Sequence, residues 1–177
     1  MSSARGRRPT ADRGDRRELR RALGTYATGV TVITTGAPDG RRAGITVNSF
    51  TSLSLDPPLV LFCLARRAPS HTDFHAAGHF AIHVLAADQH HLSRQFSTPA
   101  ADKFSCVDVI DGPGGVPLID GVIARFVCRQ VNRYDGGDHS IFVGEVQQYE
   151  QFDGDPLVLH SGCYRVAATH PDFSDQL

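Results

Sequence analysis

Residues 44–54, G-I-T-V-N-S-F-T-S-L-S, hold the densest run of uncharged hydrogen-bonding groups in the chain. Thr46, Asn48, Ser49, Thr51, Ser52 and Ser54 offer donors and acceptors without charge. Such a set suits the edge of a planar heterocycle or a sugar better than a metal or an acid–base reaction. A Ser/Thr-rich loop whose hydroxyls satisfy local backbone is the bland alternative. Residues 66–70, R-R-A-P-S, form a second candidate. If Ser70 caps a helix, the free N–H groups of its first turn and the two arginines just upstream make an anion site; exposed arginines beside an ordinary cap are the plainer reading. His139 follows Gly136, Gly137 and Asp138 at the mouth of a strand, where its imidazole can reach either a ligand or Asp138.

Other chemistries recede. His71, His75 and His79 recur at a zinc-helix spacing, but Gly78 interrupts that helix and no Cys or Glu completes a ligand set, so no metal is expected. The chain has no G-x-G-x-x-G, no G-x-x-x-x-G-K-[ST] and no G-x-S-x-G, which removes the Rossmann, P-loop and hydrolase readings. Cys63, Cys106, Cys128 and Cys163 stand far apart and read as buried thiols, not as a disulfide frame.

Short strands must position these residues. Leu19, Ala22, Leu23 and Tyr26 mark one amphipathic helix over residues 15–27, ended by Gly29. Residues 30–35 and 42–47 read as a hairpin around the turn at 36–40. Residues 59–64, L-V-L-F-C-L, suit a strand buried on both faces. Residues 70–78 predict a short helix with Ser70 as N-cap and Gly78 as its stop, 79–85 a strand, and 88–96 another short helix. Residues 122–134 and 140–146 form a second hairpin around 135–138, and 156–160 a final strand. Strands without regularly intervening long helices point to a mainly β fold, an antiparallel barrel edged by short helices, and not to a doubly wound parallel sheet.

The whole chain has 177 residues, 41% hydrophobic and 21% charged, which fits one globular domain over 15–170 with tails at 1–14 and 171–177. The first tail is expected to be disordered. No run is long and apolar enough for a membrane span, and residues 1–21 lack the apolar middle of a signal peptide, so a cytoplasmic protein is expected. Eight of the 18 basic residues lie in the first 21 positions with only three acids, leaving a net charge of −6 for the rest. An Arg-rich head could grip nucleic acid, but Lys103 is the only lysine, Trp is absent, and no basic stripe is interleaved with aromatics.

Four ordered motifs carry a resemblance: A-T-G-V-T-V-I-T-T at 27–35, T-V-N-S-F-T-S-L-S-L-D-P-P-L-V at 46–60, D-K-F at 102–104 and G-G-D-H-S-I-F-V-G-E-V at 136–146. Over residues 18–165 the chain is similar to the short-chain flavin reductase family, the reductase components of two-component flavin monooxygenases. The resemblance implies an FMN-binding split β-barrel that passes reducing equivalents from NADH or NADPH to FMN or FAD and supplies reduced flavin to a partner monooxygenase. It places Gly44, Thr46, Val47, Asn48 and Ser49 on the isoalloxazine edge and ribityl chain. Cys63, Leu64 and Ala65 would line the flavin, Ser70 and its helix would hold the phosphate, and Phe96 and Lys103 would close the far side. His139 would meet the nicotinamide as a positioning group, with His160 and Gly162 completing that pocket. A homodimer is implied as well. The family often carries an aromatic and an Arg where this chain has Leu159, His160 and Ser161, and neither the Arg-rich head nor residues 112–115 match a family motif. The rival readings are a non-enzymatic flavin-binding carrier or sensor, and an interaction module recruited through the head.

Overall fold

The computed structural model of the chain describes residues 15–37, 39–170 and 172. The expected tails at 1–14 and 171–177 lie outside the described residues, apart from Asp172. Asp15 starts helix α1 (Arg16–Leu23), its carboxylate accepting from the N–H groups of Arg17 and Glu18 at 2.9 and 3.1 Å. The helix ends at Gly24, not at Gly29 as the periodicity predicts, because Thr28 and Gly29 are taken into a strand. Leu19, Leu23 and Tyr26 are exposed, so the apolar stripe of α1 faces no core in this chain.

The remaining elements are β1 (Thr28–Gly29), β2 (Thr31–Gly36), β3 (Arg42–Val47), β4 (Thr51–Leu55), β5 (Pro58–Ala65), α2 (His71–Ala76), β6 (His79–Val84), α3 (His90–Ser97), β7 (Val109–Asp111), β8 (Pro117–Ile119), β9 (Ala124–Gly136), β10 (His139–Gln151), β11 (Leu157–His160) and β12 (Cys163–Val166). Seven strands form one antiparallel sheet in the order β3-β2-β6-β9-β10-β5-β4, while β1, β11 and β12 make a small second sheet. The large sheet curls until β3 comes back beside β5 without pairing to it. This is the mainly β, antiparallel split barrel that the sequence leads one to expect, open along a seam.

Both expected hairpins are present, with Ile33 opposite Ile45 and Ile141 opposite Tyr134. β5 departs from expectation. Val60, Phe62 and Leu64 are buried, whereas Leu61, Cys63 and Ala65 are only half-buried, so one face is core and the other is left partly open. The inner face joins Phe74, Phe80 and Phe142, with Phe62 stacked on Phe142 at 5.1 Å between centroids. Burying each such ring stabilises the fold by about 1.5–3 kcal/mol. A second cluster, including Val32, Leu85, Leu92 and Phe96, anchors α3 on the outside of β2 and β3.

Candidate functional site

The open face of β5 and the end of β3 enclose a cleft of about 240 Å³ along the seam. It is lined by residues 45–49, residues 63–65 and His139. Of the residues singled out from sequence, Thr46, Val47, Asn48, Ser49, Cys63, Leu64, Ala65 and His139 meet here. A larger concavity of about 380 Å³ lies around Phe126, Tyr149 and Phe152, where the one carboxylate, Glu150, is already paired with Arg125. The smaller cleft is the candidate site, because it gathers the convergent polar groups.

Ser49 holds the seam together. Thr51 pairs with Leu61, so Ser49 stands two steps on, opposite Cys63. Its hydroxyl takes the place of a peptide unit there: Oγ accepts from the Cys63 N–H at 3.0 Å and donates to the Cys63 carbonyl at 3.0 Å. The hydroxyl proton is thereby used, and the main-chain N–H groups of residues 48–50 keep no protein acceptor among the described residues. Thr46 donates to the Ser93 carbonyl at 2.7 Å, and the Asn48 amide donates to Thr28 Oγ1 at 3.3 Å. Burial pushes the Cys63 thiol pKa up, so it stays protonated at neutral pH and acts as a small wall, not as a nucleophile.

His139 opens β10 beside Ala65. Its Nδ1 donates to Asp138 Oδ1 at 2.6 Å, and the hydrogen bond from His139 holds the Asp138 carboxyl below the usual carboxylate range. The bond to Asp138 is thus the observed arrangement; it fixes the tautomer, and Nε2 has no protein partner among the described residues.

Six singled-out residues lie away from the cleft lining. Gly44 is where α3 approaches β3: a Cβ there would lie 2.6 Å from the Phe96 ring. Phe96 is fully buried against Phe104 and faces the core beneath α3. Lys103 donates to the carbonyls of Phe96 at 2.7 Å and Gly44 at 3.3 Å, tying the 103–105 segment to the end of α3. Burial pushes its pKa down. His160 ends β11 opposite Cys163, and Gly162 follows Ser161 in the two-residue turn to β12, which rests on the end of α1 through a bond from the Ser161 N–H to the Gly24 carbonyl at 2.7 Å.

Ser70 differs from its expected role. It precedes α2 in helical geometry (φ −80°, ψ −2°) with no side-chain cap, and α2 ends on extended Ala77, before Gly78. The Ser70 Oγ is buried and has no hydrogen-bond partner among the described residues. Of the arginines upstream, Arg66 pairs with Asp135 at 2.5 Å. Sequence reasoning missed Ser93 and Tyr164. Ser93 Oγ meets the Tyr164 hydroxyl at 2.7 Å and links β12 to α3, a contact that no spacing in the chain announces.

A model of the flavin reductase like domain matches residues 23–168. The chain belongs to this family. Among the flavin reductases, the FMN reductase (NADH) SmoA of Agrobacterium fabrum is 49% identical over 148 residues, 84% of either protein. The reductase component of the 4-nitrophenol 4-monooxygenase/4-nitrocatechol 2-monooxygenase of Rhodococcus opacus is 40% identical over 84% of this chain and 79% of its own. The NADH:FAD oxidoreductase SgcE6 of Streptomyces globisporus C-1027, solved in complex with NAD and FAD fragments, superposes with a TM-score of 0.85. It is 40% identical, over 93% of this chain and 99% of that one. Three further reductase relatives are longer, and the chain spans 61%, 45% and 48% of their length.

Proposed function

We propose that the seam cleft binds the ring system of FMN or FAD and that His139 orients NADH against it. The chain is a nicotinamide-dependent flavin reductase that supplies reduced flavin to a separate monooxygenase component, in line with its relatives. One observation carries the placement: acceptor side chains (Thr46, Asn48) alternate there with main-chain N–H groups left without acceptors, around an apolar wall of Cys63 and Ala65. That pattern fits the edge of an uncharged heterocycle, which mixes acceptors with a donor. The orphaned Ser70 hydroxyl supports a phosphate position after β5, since a phosphate oxygen would give it the acceptor it lacks. Gly44, Phe96 and Lys103 support the cleft from behind by fixing α3 against β3. His160 and Gly162 border the nicotinamide side from the small sheet.

Bound flavin supplies the two-electron acceptor for a reduced nicotinamide, and the protein's part is placement. Residues 46–49 orient the ring, Cys63 and Ala65 keep water off one face, and His139, held by Asp138, presents Nε2 to the incoming nicotinamide. Oxidation of NADH with FMN or FAD, followed by loss of absorbance at the nicotinamide band, tests the activity; no turnover with either flavin rejects it. His139→Ala should raise the KM for NADH while leaving flavin affinity within about twofold, the signature of lost positioning. Unchanged KM and turnover would reject that role.

A cleft of about 240 Å³ falls below the roughly 300–1,000 Å³ of complete ligand sites, so a second copy of the chain is proposed to complete it as a homodimer. A cytoplasmic location is proposed from four free thiols, two of them (Cys106 and Cys163) exposed.

A further inference from the structure

Thr46 has one hydroxyl proton, and it points away from the cleft, to the Ser93 carbonyl at 2.7 Å. Toward the cleft it therefore shows lone pairs only. Ser93 is itself held: it is 1% exposed, and its own hydroxyl meets Tyr164 at 2.7 Å, joining α3 to the small sheet. Asn48 gives one of its two amide hydrogens to Thr28 at 3.3 Å and keeps Oδ1 as an acceptor. Two elements, β1 and α3, thus each absorb a donor that the cleft would otherwise offer, and β12 braces α3 through Tyr164.

We infer that Ser93 and Tyr164 are positioning residues that lock Thr46 as a pure acceptor, and that this acceptor reads the ring N3–H of oxidised flavin. The inference rests on the flavin reading above. The edge of that ring presents C2=O, N3–H and C4=O, a single donor between two acceptors, and every other polar atom of the oxidised ring is an acceptor. A side chain that can only accept has one partner on it. The carbonyls on either side match the N–H groups of residues 48–50, which lack protein acceptors. A hydroxyl free to rotate would serve a carbonyl or an N–H equally and would fix no orientation. The Ser93 main-chain carbonyl, carried on α3, removes that freedom, and the Tyr164 hydroxyl on the Ser93 side chain ties α3 in place.

Flavin fluorescence quenching by the full chain measures the test directly, without turnover, using FMN and its 3-methyl analogue, which lacks the donor. Thr46→Val keeps the shape and removes the acceptor. It should weaken FMN binding by roughly tenfold and leave 3-methyl-FMN within about twofold of wild type, because a lost hydrogen bond to a buried partner costs about that much. Thr46→Ser should restore FMN binding. Tyr164→Phe should shrink the ratio of FMN to 3-methyl-FMN affinity at least about threefold, since α3, which carries the Ser93 carbonyl, then loses its tie to the small sheet. Equal loss of both ligands in Thr46→Val, or an unchanged ratio in Tyr164→Phe, overturns the inference while the flavin site stands. Wild-type protein that quenches neither ligand overturns the flavin reading itself.

Discussion

Ser49 is the residue on which the seam depends, and its side chain does a main-chain task. Replacing it with Ala strips the Cys63 N–H and carbonyl of their only partner on that side. The expected cost is about 1–3 kcal/mol of local stability. Amide exchange at Cys63 should quicken, and the flavin KM should rise more than kcat falls. Ser49→Thr should recover both, and an exchange rate indifferent to the hydroxyl would count against the latch. His83 is the second decisive residue. It is fully buried, with Nδ1 donating to the Val32 carbonyl at 3.0 Å and Nε2 accepting from the Ile119 N–H at 3.1 Å. Only a neutral ring makes both bonds. Burial pushes its pKa down from 6.5 to about 3, and Arg125 adds to the effect. The unfolded chain takes up a proton below about pH 6.5 that the folded chain refuses. Stability from this residue is therefore intact above that pH and falls by up to about 1.4 kcal/mol per pH unit toward 3. Denaturant titrations at pH 7.5, 6 and 4.5 should show a steeper decline for wild type than for His83→Gln, and parallel declines would refute the assignment.

Elements differ in how plainly the sequence announces them, and the difference is physical. The β2–β3 and β9–β10 hairpins were legible because β-branched runs flank glycine turns, and Gly137 does adopt a φ of +69°. β4 was not, since T-S-L-S-L buries almost nothing and so carries no apolar face to read. The six-residue apolar run of β5 read as buried on both sides because a cleft wall and a core wall use the same residue types. The cleft itself was half legible. Residues 46–49, 63–65 and His139 follow from polar clustering and family motifs, whereas Ser93 and Tyr164 arrive from distant elements. Ser70 does occupy the N-cap position of α2, but its hydroxyl makes no capping bond, because its backbone is already helical, which spacing alone does not tell.

At the scale of the molecule, several large apolar side chains have no cover. Leu55 is 93% exposed and Tyr149 74%, with Leu53, Tyr134, Phe152 and the α1 stripe also open. Water contact over so much apolar surface is what association removes. Sedimentation of the full chain should give a dimer at micromolar concentration, and Leu55→Glu should shift it toward monomer. A wild-type protein that stays monomeric as concentration rises would reject the dimer and leave the cleft to a single chain.

The unpaired seam also bears on departure. A reductase must surrender its product, and a guest buried in the interior would leave a void whose collapse resists every return. On the proposed placement the visitor would rest on the rim of a sheet whose aromatic centre is already filled and whose loose edge is clasped by one serine. Arrival and exit would then leave the hydrophobic interior filled, with the berth taken or vacant.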